Sequence, residues 1–292
     1  MKFKLIFFLF NTIILLSFII VLLMPFFLLG PEYTRTFWSS SWYLPVVFFV
    51  VIALIDGYFI AHWRLLSLLE EENWTGLVEY LEEQCIQRGR LGTQFVRTLI
   101  NAYFITGAVS RIEELEKVVR EKRPKLLHKF ALQFGVPRML HNNPDDMVSF
   151  FGEYKNRRHP KRLWIRFLYA FGLLMKRENI DGREELLEVA KEVKSPILSL
   201  VSIYTLEPFR TIDDEVLTLV DRKKSELSSR FSRDALEKEM SKERENVVVV
   251  ILGKLIGDAL DWLYGTDSQQ ERNTQQKQET QQKQETQQEE TE

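Results

Sequence analysis

The chain has 292 residues, with 39 Lys and Arg set against 41 Asp and Glu, so its formal charge of -2 names no partner by itself. That length carries one or two domains with a real core. The single cysteine, Cys85, excludes an internal disulfide framework and a multi-cysteine zinc site.

Residues 5–29 hold no charged side chain and are interrupted only by Asn11, Thr12, Ser17 and Pro25. About 20 apolar residues cross a bilayer, so this is a predicted transmembrane helix. A cleaved signal peptide is the competing reading. Against it, the run is about twice a usual signal core and lacks a small-x-small cleavage site at its end. A second apolar run covers residues 43–61. The connection between them carries Tyr33, Phe37, Trp38 and Trp42, the aromatics expected where a hairpin turns in the headgroup layer. Residues 1–64 thus read as a transmembrane hairpin.

Lys2 and Lys4 precede the first span and His62 and Arg64 follow the second, while the connection offers only Arg35. The excess of basic residues at the two ends places both termini in the cytoplasm. An acid, Asp56, interrupts the second span eight residues before Arg64, about 12 Å along a helix. In an antiparallel hairpin it lies level with Asn11. An intramembrane carboxyl is costly unless satisfied. The expectation is that Asp56 hydrogen-bonds Asn11 or Thr12 and pins the spans together; a transport-accessory role through Asp56 is the alternative.

Residues 65–231 are rich in Leu, Glu, Lys and Arg and show helical stops and starts, with no alternating strands joined by a tight turn. Asn73 opens one helix with Leu77, Val78 and Leu81 on one side, and the turn at residues 88–92 ends it. Phe95, Leu99 and Tyr103 mark the next, which Gly107 closes. Ile112, Leu115 and Val119 pattern a third, and Pro124 introduces Leu126, Leu127, Phe130 and Phe134. His141, Asn142, Asn143, Pro144, Asp145 and Asp146 could be read as a metal cluster. Capping explains them better: Asn143 as N-cap, Pro144 at the first helical position and two acids at the positive helix end.

Leu77, Ile112 and Met147 are 35 residues apart, as are Phe95, Phe130, Ile165 and Leu200. Two helices per unit at this period are the signature of an α-solenoid. Over residues 72–207 the chain resembles tetratricopeptide repeats, with Trp74, Leu77 and Tyr80 similar to the opening of that family's first helix. At Gly182 the first-helix register is expected to fail. The resemblance implies a protein-binding scaffold and brings no catalytic residues with it; a non-repetitive bundle is the alternative.

Between Lys117 and Arg177 the chain holds 15 Lys and Arg against four acids. The densest piece contains Lys155, Arg157, Arg158, Lys161, Arg162 and Arg166. This block predicts an anionic partner, lipid headgroups or an acidic protein ahead of nucleic acid, for which no recognition motif is present.

Residues 232–265 read as one long amphipathic helix, with Val248, Leu252, Leu255, Ala259 and Trp262 on a broad apolar stripe and Val250, Lys254, Asp258 and Asp261 on a narrow polar one. It is expected to pack against the repeats. Residues 266–292 repeat a Gln-rich hexamer and are predicted to be disordered. Phosphate-loop, dinucleotide, zincin and nucleophile-elbow motifs are absent, so no catalytic, cofactor-binding or metal role is expected. The expected whole is all-α: an integral membrane protein whose helical repeats bind other proteins.

Overall fold

A computed structural model describes residues 3–243 and 246–265. Among them there are seventeen α-helices, one π turn and one 3-10 turn, and no strand. The chain divides into two compact units, Met1–Ala108 and Val109–Glu292, with the boundary inside the predicted 65–231 body.

The first unit begins with α1 (Phe3–Leu29), α2 (Pro31–Ser40) and α3 (Tyr43–Ala61). α1 and α3 are long and apolar enough to cross a membrane, and neither has buried residues in its apolar window. They run antiparallel: Phe18 stacks on Phe48 at 4.1 Å, and Phe7 meets Phe59 edge-on at 5.7 Å. Moving eleven residues back along α1 moves the partner eleven forward along α3. The connection, expected to be a turn, is instead mostly helical. Gly30 adopts φ 83°, which a side chain would strain, and Pro31 then starts α2 at a position that needs no donor. α2 folds against α1.

The same unit continues through α4 (Trp63–Glu70), α5 (Trp74–Glu82) and α6 (Thr93–Thr106). The Asn73 side chain accepts from the Gly76 backbone N–H at 2.9 Å, which is the predicted cap. Gly107, in the left-handed region at φ 71°, ends α6 as expected.

The second unit is built from α7 (Arg111–Lys122), α8 (Pro124–Lys129), α9 (Ala131–Leu140), α10 (Pro144–Tyr154), α11 (Arg162–Met175), α12 (Asn179–Glu192), α13 (Pro196–Leu206) and α14 (Asp214–Arg230). Each of α10 to α14 packs on the helix before it, and short connections reverse the direction each time. Asn143 Oδ1 accepts from the Asp146 N–H at 3.2 Å, so capping accounts for the Asn-Pro-Asp-Asp turn. The predicted helix after Pro124 is broken at Phe130, which ends α8 and leads into α9.

The 35-residue register coincides with burial. Leu77, Ile112 and Met147 are 0–1% exposed, and Phe130, Ile165 and Leu200 are at most 4% exposed. Phe95 is half-buried. The first-helix register does not fail at residue 182. Gly182 is buried too, and a Cβ there would lie 2.7 Å from Leu174 Cδ2. α12 lies so close to α11 that the position has room for hydrogen alone, and an apolar pattern cannot register a side chain that has been deleted.

The single long helix expected over residues 232–265 is not formed. The segment is divided into α15 (Arg233–Lys242), α16 (Val247–Ile251) and α17 (Gly253–Tyr264). The pieces reach different targets: α15 packs on α13, α16 on α9, and α17 on α13 and α14, which no straight rod could do. The buried side of α17 carries Ile256, Ala259, Leu260 and Leu263, while Lys254 and Asp258 stay in solvent as expected. Gly253 and Gly257 have nothing within 4 Å of where a Cβ would be, so their spacing marks no helix contact. The Gln-rich stretch 266–292 lies outside the described residues.

Candidate functional site

Two groups of polar residues stood out in the sequence, one in the spans and one in the body. In the spans, the ring pairs put Asn11 level with Ile55 and Asp56, so the depth match holds. The predicted pin is nevertheless absent. Asn11 Nδ2 donates to the Phe7 carbonyl at 3.1 Å and Thr12 Oγ1 to the Phe8 carbonyl at 2.8 Å, both within their own helix. Asp56 Oδ1 is enclosed and has no hydrogen-bond partner among the described residues. The physical reason is that the carbonyl four residues back is always within reach of a helical Asn or Thr, so the local bond forms without any cross-helix alignment.

In the body, the six basic residues of the sequence patch separate into two sets. Lys155 Nζ reaches Glu185 at 3.1 Å and lies 3.8 Å from the centre of the Tyr169 ring. Arg166 also pairs with Glu185 and reaches Glu192 at 3.2 Å, and Arg162 pairs with Glu192. Arg157 is 3.7 Å from Glu153. Only Arg158 and Lys161 of the six are exposed without an ion pair among the described residues. Much of the positive block is therefore neutralised by carboxylates of α12, which lie beyond it in sequence and beside it in space.

The fold adds residues that the sequence patch missed. His128 Nε2 meets the Arg158 carbonyl at 2.8 Å, and His159 Nε2 meets the Lys129 carbonyl at 3.3 Å. The two rings are 5.7 Å apart and near perpendicular. The Lys161 backbone N–H donates to His159 Nδ1 at 3.0 Å, which fixes the proton of this imidazole on Nε2. Burial holds His159 below the usual histidine range, helped by His128 and Lys161 and opposed by the bond to the Lys129 carbonyl. This reciprocal clasp sets Lys129 beside Arg158 and Lys161, with Lys125 one turn before Lys129 on α8. Lys125 and Lys129 are exposed, and neither has an ion pair among the described residues. The signal available in sequence was a spacing of 30: His128 to Arg158 and Lys129 to His159, repeated by the Lys155–Glu185, Arg162–Glu192 and Arg183–Asp213 pairs.

The opposite ends of the helices differ. There Leu140, Ile180 and Ile212 are 50%, 72% and 70% exposed, at three successive turns that also carry Asp145, Asp146, Asp181, Asp213 and Asp214. Reactive groups are few. Burial pushes the Cys85 thiol up to about 12, which leaves it a small hydrophobe and not a nucleophile. Among the described residues no cluster of three or more His, Cys, Asp or Glu is arranged to hold a metal.

The molecule is thus defined as an all-helical protein with two span-length helices ahead of a body of sequentially packed helices. It belongs to the family described as "Uncharacterised Treponema protein", whose model matches residues 111–265, just over half of the chain. That match begins near the start of the second unit and stops where α17 ends. The chain is also similar to an uncharacterized protein of Treponema pallidum (strain Nichols), 24% identical over 231 residues, covering 75% of this chain and 74% of the relative. No solved structure matches.

Proposed function

We propose that this protein is a membrane-anchored helical-repeat scaffold that recruits other proteins into an assembly at the bilayer. α1 and α3 supply the anchor, with both termini on the cytoplasmic side, and the helical hairpins supply the binding surface. In this reading the hairpins are of a repeat type similar to tetratricopeptide repeats, varied by Gly182 and by a C-terminal segment that packs back on α9 and α13.

The observation that carries the reading is the row of exposed apolar side chains at successive turns, Leu140, Ile180 and Ile212, each flanked by acids. Exposed large hydrophobes repeated along one edge are what a protein partner covers, and the acids around them favour a partner with basic residues beside an apolar strip. Asp56, unsatisfied within its own hairpin, fits assembly with a further membrane helix.

Purification of the intact protein in mild detergent, followed by identification of what copurifies, tests the reading. A specific partner retained by the native protein and lost from Ile180→Asp combined with Ile212→Asp is expected. Recovery of the same proteins with the doubly substituted chain would count against that edge. A reporter fused to the C-terminus tests sidedness: activity outside the cytoplasm would reverse the orientation.

A further inference from the structure

We infer that the edge formed by residues 122–129 and 158–161 rests on anionic lipid headgroups of the bilayer in which the chain is anchored. The inference depends on the membrane-anchored reading and assigns that scaffold a second, lipid-facing surface.

Some of the positive charges in this region are already spent on carboxylates. Lys155, Arg162 and Arg166 each face a carboxylate of α12, so they hold helices together and have little field left for a ligand. Lys125, Lys129, Arg158 and Lys161 have no ion pair among the described residues and are exposed. Lys122 adds a fifth cation, offset by its neighbour Glu121, also exposed.

These charges come from two connections that the histidine clasp draws together. The Nε2 atoms of His128 and His159 are each taken by a backbone carbonyl of the other connection, at 2.8 and 3.3 Å. The clasp thereby positions four cations from sequence-distant turns without neutralising any of them. A cluster of unneutralised cations on one edge is costly in self-repulsion and is stabilised by an anionic surface.

A bilayer is favoured over a soluble polyanion because of the tether. Each Lys or Arg near an anionic leaflet strengthens binding by roughly fivefold, which is weak for four residues acting alone. Two spans in the same chain convert that encounter into an intramolecular one, so modest attraction suffices. Neither residues 122–129 nor residues 158–161 contain a Phe, Tyr or Trp on which a nucleic acid base would stack, and the two imidazoles are engaged with backbone carbonyls.

The test uses the full-length protein in nanodiscs of phosphatidylcholine, with or without phosphatidylglycerol, and reads amine labelling of Lys125, Lys129 and Lys161 by mass spectrometry. Labelling slowed several-fold in the anionic discs, and restored by high salt, is expected. Equal labelling in both discs, in protein that resists alkaline extraction, overturns the inference alone. Release by alkaline carbonate overturns the anchored reading and the inference with it. Protection in neutral discs on adding inorganic phosphate would make the ligand a free anion and reject the lipid. The variant carrying Lys125→Gln, Lys129→Gln, Arg158→Gln and Lys161→Gln should lose the difference between discs at Lys122 while keeping its melting temperature. If Lys122 remained protected in that variant, the four cations would not be the cause.

Discussion

The hairpin of α1 and α3 and the body of α7 to α17 solve the same problem, holding helices together, by opposite means. In the hairpin the contacts are aromatic rings, and the polar groups Asn11 and Thr12 turn to their own backbone. In the body, neighbouring helices are tied by directed contacts: Glu116 of α7 takes Arg138 of α9 at 2.8 Å, Arg120 of α7 reaches Glu153 of α10 at 3.1 Å, and Glu185 takes Lys155 and Arg166. The difference teaches where the sequence specifies a unique arrangement. Ring contacts between apolar helices tolerate rotation, whereas a half-buried ion pair has one register.

The largest effect expected from this contrast concerns glycines. A Cβ on Gly135 would lie 2.2 Å from Phe151 Cζ, inside the α9–α10 contact, whereas Gly57 in α3 has open space around it. Gly135→Ala should destabilise the body by about 2–3 kcal/mol through overpacking. Gly57→Ala should be tolerated. Denaturant unfolding in detergent measures both, and equal effects would erase the distinction between the regions.

Next comes Glu116→Gln, which leaves Arg138 half-buried beside a neutral amide and should cost about 2 kcal/mol. Glu185→Gln weakens the α11–α12 tie and should cost about 1 kcal/mol, less because the Glu185 side chain is 16% exposed against 6% for Glu116. A loss at Glu185 larger than at Glu116 would contradict the burial order.

A smaller effect follows pH. Because His159 is held below 6.5, the unfolded chain binds more protons than the folded one between the two values. The associated stability is therefore complete above about pH 6.5 and is lost as pH falls through the folded value. Acidification from neutral pH to about 5 should lower the melting temperature of the native protein more than that of His159→Gln. Identical slopes would remove the clasp from consideration.

The smallest effect is predicted for Asp56→Leu. Since Asp56 makes no bond to Asn11 or Thr12, disulfide crosslinking between cysteines placed at positions 7 and 59 should be unchanged. A marked loss would restore the pin that the structure lacks.

Much of the architecture was readable from residue order. Apolar run length gave both span-length helices, the helix caps at Asn73 and Asn143 were local chemistry, and the 35-residue register marked positions that are buried at every point but the half-buried Phe95. What escaped is what order does not encode. Depth along a span follows from counting, but the rotation that decides whether Asn11 faces Asp56 does not. Net charge over a window is local, whereas Glu185 and Glu192 neutralise residues about one hairpin earlier. Gly182 hid a buried position because the packing there required no side chain. The break of the C-terminal segment into α15, α16 and α17 depends on three targets, and amphipathic periodicity sees only one face at a time.

The fold-back of α16 onto α9 also fixes when the body is able to finish folding. Helices α10 to α15 intervene between the two, so α9 leaves the ribosome long before the segment that covers it. With synthesis at about 5–20 residues per second, that face waits for seconds. A ribosome stalled before Val247 would therefore display an incomplete core. The segment Val247–Ile251 thus covers α9 only after all of α10 to α15 has been made.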